Sequence, residues 1–406
     1  MTLKGVTNMN ANSLLGINRY ETFARVEMND VYLEKADTTE VTIIVVLTTP
    51  EIVINNVTIN NNDISNTDPT GIIYISPSNN GTAKFSNITV MNSDIAAKRV
   101  IEYVQEGTGY ITIENLYTKN VTLGTDARII SAQSSTRFYL KNSTFIEVKP
   151  RDLGDSTAKL IALPSIELSN NLDSAIEDSY IENSQVGLIE LLGLKNSESL
   201  SSNFMLTNIT YANSYLEFPH DLISFTGIET SNNFQISLSD ITMRNITFQR
   251  TGTLINLRHQ TETLLTMNNA SFENIVGGQI SIKSTNLQNS ELKTKVNMTN
   301  ISATSISGNS KSLIYIEEGG ELYIYNSDFN SIDNTERGAV LNTGLRNSYI
   351  EVHNSTFENN LSIYGSVANV QDSGVIKFYD SNITDNFAIQ SGAIQASSDG
   401  RFEFYR

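Results

Sequence analysis

The 406-residue sequence predicts an all-β fold, a right-handed parallel β-helix (solenoid) of about 13 coils with about 29 residues per coil. Three observations carry this expectation. A template reading apolar, x, apolar, x, Asn or Asp, x, x, apolar recurs along the chain, as in Leu322 to Phe329, Ile350 to Phe357 and Ile376 to Ile383. Apolar residues inside each copy alternate with period 2, the mark of a half-buried strand, as in Ile111-Thr-Ile113. No stretch carries the sustained i, i+3, i+4, i+7 stripe of a capped helix.

Each copy is anchored by its Asn or Asp. The anchors fall at Asp30, Asn56, Asn87, Asn115, Asn142, Asp178, Asn208, Asn245, Asn269, Asn300, Asn326, Asn354 and Asp380. The residue two before the anchor is apolar in every copy, from Met28, Ile54 and Phe85 through Leu206 and Met243 to Val352 and Phe378. Two intervals are long, Asn142 to Asp178 and Asn208 to Asn245, which predicts loop insertions at about 146–175 and 212–238. A second strand start recurs after the anchor in the C-terminal part, at Gly338-Ala-Val340, Gly365-Ser-Val367 and Gly392-Ala-Ile394. Strands repeating in one phase stack on their own copies, and at about 4.8 Å between strands the coils make one elongated domain on the order of 60 Å long.

Composition narrows the function. Asn (48), Ser (45) and Thr (40) supply a third of the chain, while charged residues supply only 17%. A net charge of −17 repels nucleic acid and anionic membranes. The absence of cysteine removes disulfides, thiolate metal sites and a Cys nucleophile, and three histidines are too few for an imidazole cluster. Val41 to Leu47 is the longest strongly apolar stretch, far short of the ~20 residues that span a bilayer, so no membrane insertion is expected in this segment. No signal peptide is visible at Met1-Thr2-Leu3-Lys4, and Phe402 to Arg406 repeats the pattern before an anchor. These ends suggest a piece of a longer chain, flanked by further coils or by head-to-tail self-association.

The phased Asn/Asp bend, the Gly-Ala-Ile strand starts and the Phe357-Glu-Asn-Asn360 step resemble the right-handed β-helix repeats of the pectin-lyase-like superfamily. They are closest to the polymorphic outer-membrane-protein type, found in surface and adhesin proteins and in very large protist surface proteins. The resemblance implies a non-enzymatic rod outside the cell or at its surface, acting as scaffold, adhesin or filament segment. Its rival implication is a carbohydrate-binding or pectate-lyase-like enzyme.

Catalytic motifs for that rival are sparse. Asn66-Thr67-Asp68 resembles the start of a polygalacturonase signature, but Pro69 follows and no Asp-Asp pair, Gly-His-Gly or Arg-x-Lys lies downstream. Glu317-Glu318-Gly-Gly-Glu321 reads as a solvated acidic rim beside a bend, and Arg258-His259 as a strand-end cap. Pro219-His220-Asp221 sits in the second long interval without a partner carboxylate. The expectation is therefore no catalytic residue, no metal site and no cofactor.

The anchor asparagines are expected to point into the bend and to stack as an amide ladder, since Asn tolerates left-handed backbone and bonds locally. Asn-x-Ser/Thr occurs thirteen times, against about ten for random placement of 48 Asn among 85 Ser and Thr. Inward anchors could not carry sugar, which leaves Asn80, Asn297, Asn360 and Asn382 as the favoured glycosylation sites.

Overall fold

The computed structural model describes residues 2–4, 13–17, 25–34, 42–47, 49–61, 63–64, 71–78, 81–96, 99–104, 109–133, 136–151, 158–168, 174–191, 194–196, 202–217, 221–226, 234–250, 252–259, 263–284, 294–308, 311–344 and 348–406. All regular elements among them are β-strands, and the named pairings are parallel. The protein is a parallel β-solenoid of about 28 residues per turn, with a number of turns that differs slightly from the thirteen expected. Chain contacts divide it into two units, Met1–Ser197 and Glu198–Arg406.

In the first unit, one sheet stacks Arg25–Glu34, Glu51–Asn60, Thr82–Ile95, Gly109–Leu123, Thr136–Pro150 and Ser174–Glu182 in that order. A second sheet stacks the return strands, among them Ile73–Ser76, Arg99–Val104, Arg128–Gln133, Lys159–Leu168 and Gly187–Leu191. Register aligns the core in columns. Ile54, Phe85, Ile113, Leu140 and Ile176 sit directly over one another, and each is fully buried. At about 25 cal/mol per Å² of apolar surface, full burial of one such side chain contributes about 1.5–3 kcal/mol.

The second unit repeats the plan. Ser202–Leu216 pairs with Phe234–Phe248, which pairs in turn with Thr263–Asn268 and Ser271–Val276. Its main column runs Leu206, Leu238, Met267, Met298, Ile324, Val352 and Phe378, all buried.

Two lines of left-handed residues bend the turns among the described residues. One comprises Asp30, Asn56, Asn87, Asn115, Asn142 and Asp178 in the first unit and Asn208, Asp240, Asn269, Asn300, Asn326, Asn354 and Asp380 in the second. The other lies five residues later, at Asn61, Asn92, Asn120, Glu147 and Asn183, then Asn213, Asn245, Asn274, Ser305, Ser331, Asn359 and Asp385. A φ near +55° costs most L-residues about 1–2 kcal/mol, and Asn and Asp least among them. The kink inserts one residue into the alternation, so Ile54 and Val57 both face the core while Asn56 between them is exposed.

Two expectations change. Asn245 is not the anchor of its turn: Leu206 pairs with Leu238 and Ile209 with Ile241, which sets Asp240 opposite Asn208 and Asn245 opposite Asn213. The anchor side chains do not point inward, since Asn56, Asn87, Asn115, Asn142, Asn208, Asn269, Asn300, Asn326 and Asn354 are all exposed. Within the two long intervals, strands Thr136–Pro150, Lys159–Leu168 and Ser174–Glu182 enter 146–175, and Ser202–Leu216, Asp221–Thr226 and Phe234–Phe248 enter 212–238. The rest of those two ranges, apart from Arg151, Ala158 and Glu217, lies outside the described residues.

Candidate functional site

The corner amides bond from turn to turn. Asn115 Nδ2 donates to Asn87 Oδ1 at 2.9 Å, and Asn142 Nδ2 to Asn115 Oδ1 at 2.6 Å. The second line does the same where Asn120 Nδ2 donates to Asn92 Oδ1 at 2.9 Å. In the second unit Asn300 donates to Asn269 at 3.1 Å and Asn354 to Asn326 at 2.7 Å. Asn245 joins its own line, donating to Asn213 at 2.9 Å and accepting from Asn274 at 3.2 Å.

The most chemically varied surface is the outer side of the second unit's strands before the anchor. Because side chains alternate, Leu322 and Ile324 are buried while Glu321, Tyr323 and Tyr325 face out. Parallel register then builds rows across successive turns. One row runs Tyr323, Glu351, Lys377, Glu403, and the next Tyr325, His353, Tyr379, Tyr405.

In that second row the rings stack. Tyr325 and His353 lie 5.0 Å apart at 15°, His353 and Tyr379 4.6 Å apart at 6°, and Tyr379 and Tyr405 4.6 Å apart at 9°. Polar atoms pair within and between rows. Tyr323 donates to Glu321 at 3.1 Å, Tyr349 donates to Glu351, Tyr405 donates to Glu403, and His353 Nε2 meets Glu351 Oε1 at 2.6 Å. Lys377 Nζ lies 3.5 Å from Glu403 and 5.9 Å from each of the Tyr349 and Tyr405 ring centres.

The electrostatics follow from these pairs. Burial and the Glu321 carboxylate push the Tyr323 phenol up to about 12. Burial and the bond to Glu351 raise Tyr349, and the bond to Glu403 raises Tyr405. Desolvation pushes Glu351 up, but hydrogen bonds from Tyr349 and His353 outweigh it and hold the carboxyl below its ordinary value. Glu403 is lowered chiefly by the Tyr405 hydroxyl.

The acidic run reads differently from a free rim. Glu317 and Glu318 both meet Lys283 Nζ, at 2.9 and 3.1 Å, and Tyr315 donates to Glu317 at 3.0 Å, whereas Glu321 turns to Tyr323. The bond from Lys283 to Glu317 raises the lysine above its ordinary value. In the first unit Arg99, Arg128 and Lys159 stack in register, with Glu102 3.7 Å from Arg99 and Glu190 3.4 Å from Arg128. Burial lowers Arg128 from its ordinary value, and the carboxylates of Glu190 and Asp126 oppose that. Asp221 accepts from Asn256 at 2.7 Å. His259 ends the strand Thr253–His259, while Asn66-Thr67-Asp68, Pro219 and His220 lie outside the described residues. Among the described residues no group of three or more His, Cys, Asp or Glu side chains is placed to hold a metal ion, and no helix is long and apolar enough to cross a membrane.

The sequence-favoured glycosylation sites scatter. Asn382 is exposed, Asn297 half-exposed on its strand, and Asn80 lies outside the described residues. Asn360 is a correction: it is fully buried, and its Oδ1 accepts the Ile332 N–H at 3.0 Å while Nδ2 donates to Asn386 at 2.9 Å. Sequence reasoning also passed over the Tyr–Glu pairs, although a spacing of two on a strand already places both side chains on one face.

A groove near the end of the second unit is lined by Ser381, Asn382, Ile383, Ala393, Ile394, Phe402 and Phe404. Phe404 there pairs with Phe378 of the core column, their ring centres 5.2 Å apart.

No protein family matches the sequence, and no curated protein does. Among solved structures, the A-module of mannuronan C-5 epimerase AlgE6 from Azotobacter vinelandii aligns over 90% of each chain at 10% identity, with a TM-score of 0.27. A likeness of that size carries no argument about activity. The parallel ladders, the core columns and the paired corner lines make this chain a parallel β-helix protein.

Proposed function

We propose that the chain is a non-enzymatic structural scaffold, adhesin or filament segment that works outside the cell or at its surface. One observation carries this reading: the outward functional groups engage one another, turn upon turn. The Tyr325, His353, Tyr379 and Tyr405 rings lie face to face within 5.0 Å, so both faces of His353 and Tyr379 are already covered by neighbouring rings and are closed to a sugar. Tyr hydroxyls and Lys ammonium groups meet Glu carboxylates in the same rows, which favours a self-satisfied surface over a convergent acid–base pair. The placement outside the cell follows the resemblance of the repeats to those of surface and adhesin proteins.

Incubation with polyuronates, with and without Ca²⁺, tests the reading. The expected result is no new reducing end and no unsaturated product. Calcium-dependent turnover that scales with protein would sink it.

A further inference from the structure

Four tyrosines of the second unit share one device. Tyr315, Tyr323, Tyr349 and Tyr405 each donate the phenolic hydrogen to a glutamate two residues away on the same strand face. Tyr405 adds a second feature, since its ring is stacked on Tyr379 at 4.6 Å and 9°. Parallel pairing sets Tyr379 directly opposite Tyr405, with backbones about 4.8 Å apart.

We propose that Tyr379 and Tyr405 form an oxidative cross-linking site, at which a one-electron oxidant driven by hydrogen peroxide, of the haem peroxidase kind, joins the two rings as dityrosine. Each phenol loses one electron and its hydroxyl proton. Glu403 takes the proton from Tyr405, and water takes the one from Tyr379. The two phenoxyl radicals couple through a carbon ortho to each oxygen. Each coupled carbon then sheds its hydrogen as a proton, and the phenolic oxygens regain theirs. The net change is loss of two protons and two electrons, and one hydrogen peroxide accepting them becomes two waters.

Proximity decides which rings join. Holding both radicals in contact makes the coupling unimolecular, an advantage of several powers of ten over encounter between molecules. Exposure alone does not select this pair: Tyr110 and Tyr215 are 47% and 44% exposed against 43% for Tyr405. Neither of them stacks on another tyrosine among the described residues. The bond would tie two successive turns covalently in a chain without cysteine.

Peptide mapping reads the outcome on the whole chain. Trypsin cleaves after Lys377 and Arg401, so Tyr379 and Tyr405 fall in separate peptides, 378–401 and 402–406, each with a single tyrosine. After brief treatment with a haem peroxidase and peroxide, the expected product is those two peptides joined, two hydrogens lighter than their sum. Its yield should not depend on protein concentration, and Tyr379→Phe should abolish it. Glu403→Gln should slow the reaction several-fold at neutral pH and lose that effect at alkaline pH, where the phenol ionises unaided. Dityrosine spread over Tyr110 and Tyr215 without the joined pair, or a yield that climbs with protein concentration, would overturn the proposal.

Discussion

Glu147 is the misfit in the first unit's second corner line, and replacing it predicts a gain in stability. Its φ is +57°, a backbone that glutamate enters at a cost of about 1–2 kcal/mol. It stands between Asn120 and Asn183, because Lys119 pairs with Ile146 and Ile146 with Glu182. Asparagine there recovers part of the backbone cost and can bond to both neighbouring amides, at about 0.5 kcal/mol each for exposed bonds. Glu147→Asn should therefore stabilise the first unit by about 1–2 kcal/mol, and Glu147→Gly by about half of that, since it relieves the backbone without the amide. Glu147→Ala should gain nothing. For a unit of 197 residues a 1 kcal/mol gain shifts Tm by about 2–4 °C. Thermal unfolding followed by circular dichroism reads the order Asn, then Gly, then Glu and Ala together. An Asn variant no more stable than the Ala variant would refute the reasoning about the corner.

Two pH windows follow from the tyrosine face. The folded Glu351 carboxyl lies below its ordinary 4.5, so its stabilisation is present above that pH and lost as pH falls through the folded value. The stability difference between wild type and Glu351→Gln should be flat near neutrality and narrow in acid; a difference unchanged down to pH 3 counts against it. Tyr323 is raised from 10.0 to about 12, so its contribution is full below pH 10 and disappears across that interval, an alkaline loss that Tyr323→Phe should remove. If the protein is secreted, glycopeptide mass spectrometry should find sugar at the exposed Asn382 and none at the buried Asn360. Sugar at Asn360 would contradict its placement.

The fold was legible because burial and periodicity coincide: Ile54, Phe85, Ile113 and Leu140 are apolar for the same reason that they align in one column. The anchor line was legible because Asn and Asp dominate left-handed corners. The second line hid because Glu147, Ser305 and Ser331 interrupt its chemistry. Asp240 and Asn245 were exchanged because each follows a buried residue two places earlier, Leu238 or Met243, and period 2 alone cannot choose between them. Side-chain direction failed for a related reason. Alternation extrapolated from Ile54 turns Asn56 inward, whereas a positive φ resets the phase and turns it out. The tyrosine stack needed register as well, since Tyr325, His353, Tyr379 and Tyr405 become neighbours only once the turns are aligned.

Side-chain amide exchange tests the central claim, that the outward groups of this solenoid satisfy one another from turn to turn. In two-dimensional NMR of Asn-labelled protein, one Nδ2 proton of Asn115 and of Asn142 should exchange about fivefold more slowly than those of the exposed Asn382, the protection expected for one net hydrogen bond of about 1 kcal/mol. Asn87→Ala should release the Asn115 proton and leave that of Asn142 protected. Equal exchange at all three asparagines would contradict the ladder, and with it the reading of the surface as engaged with itself.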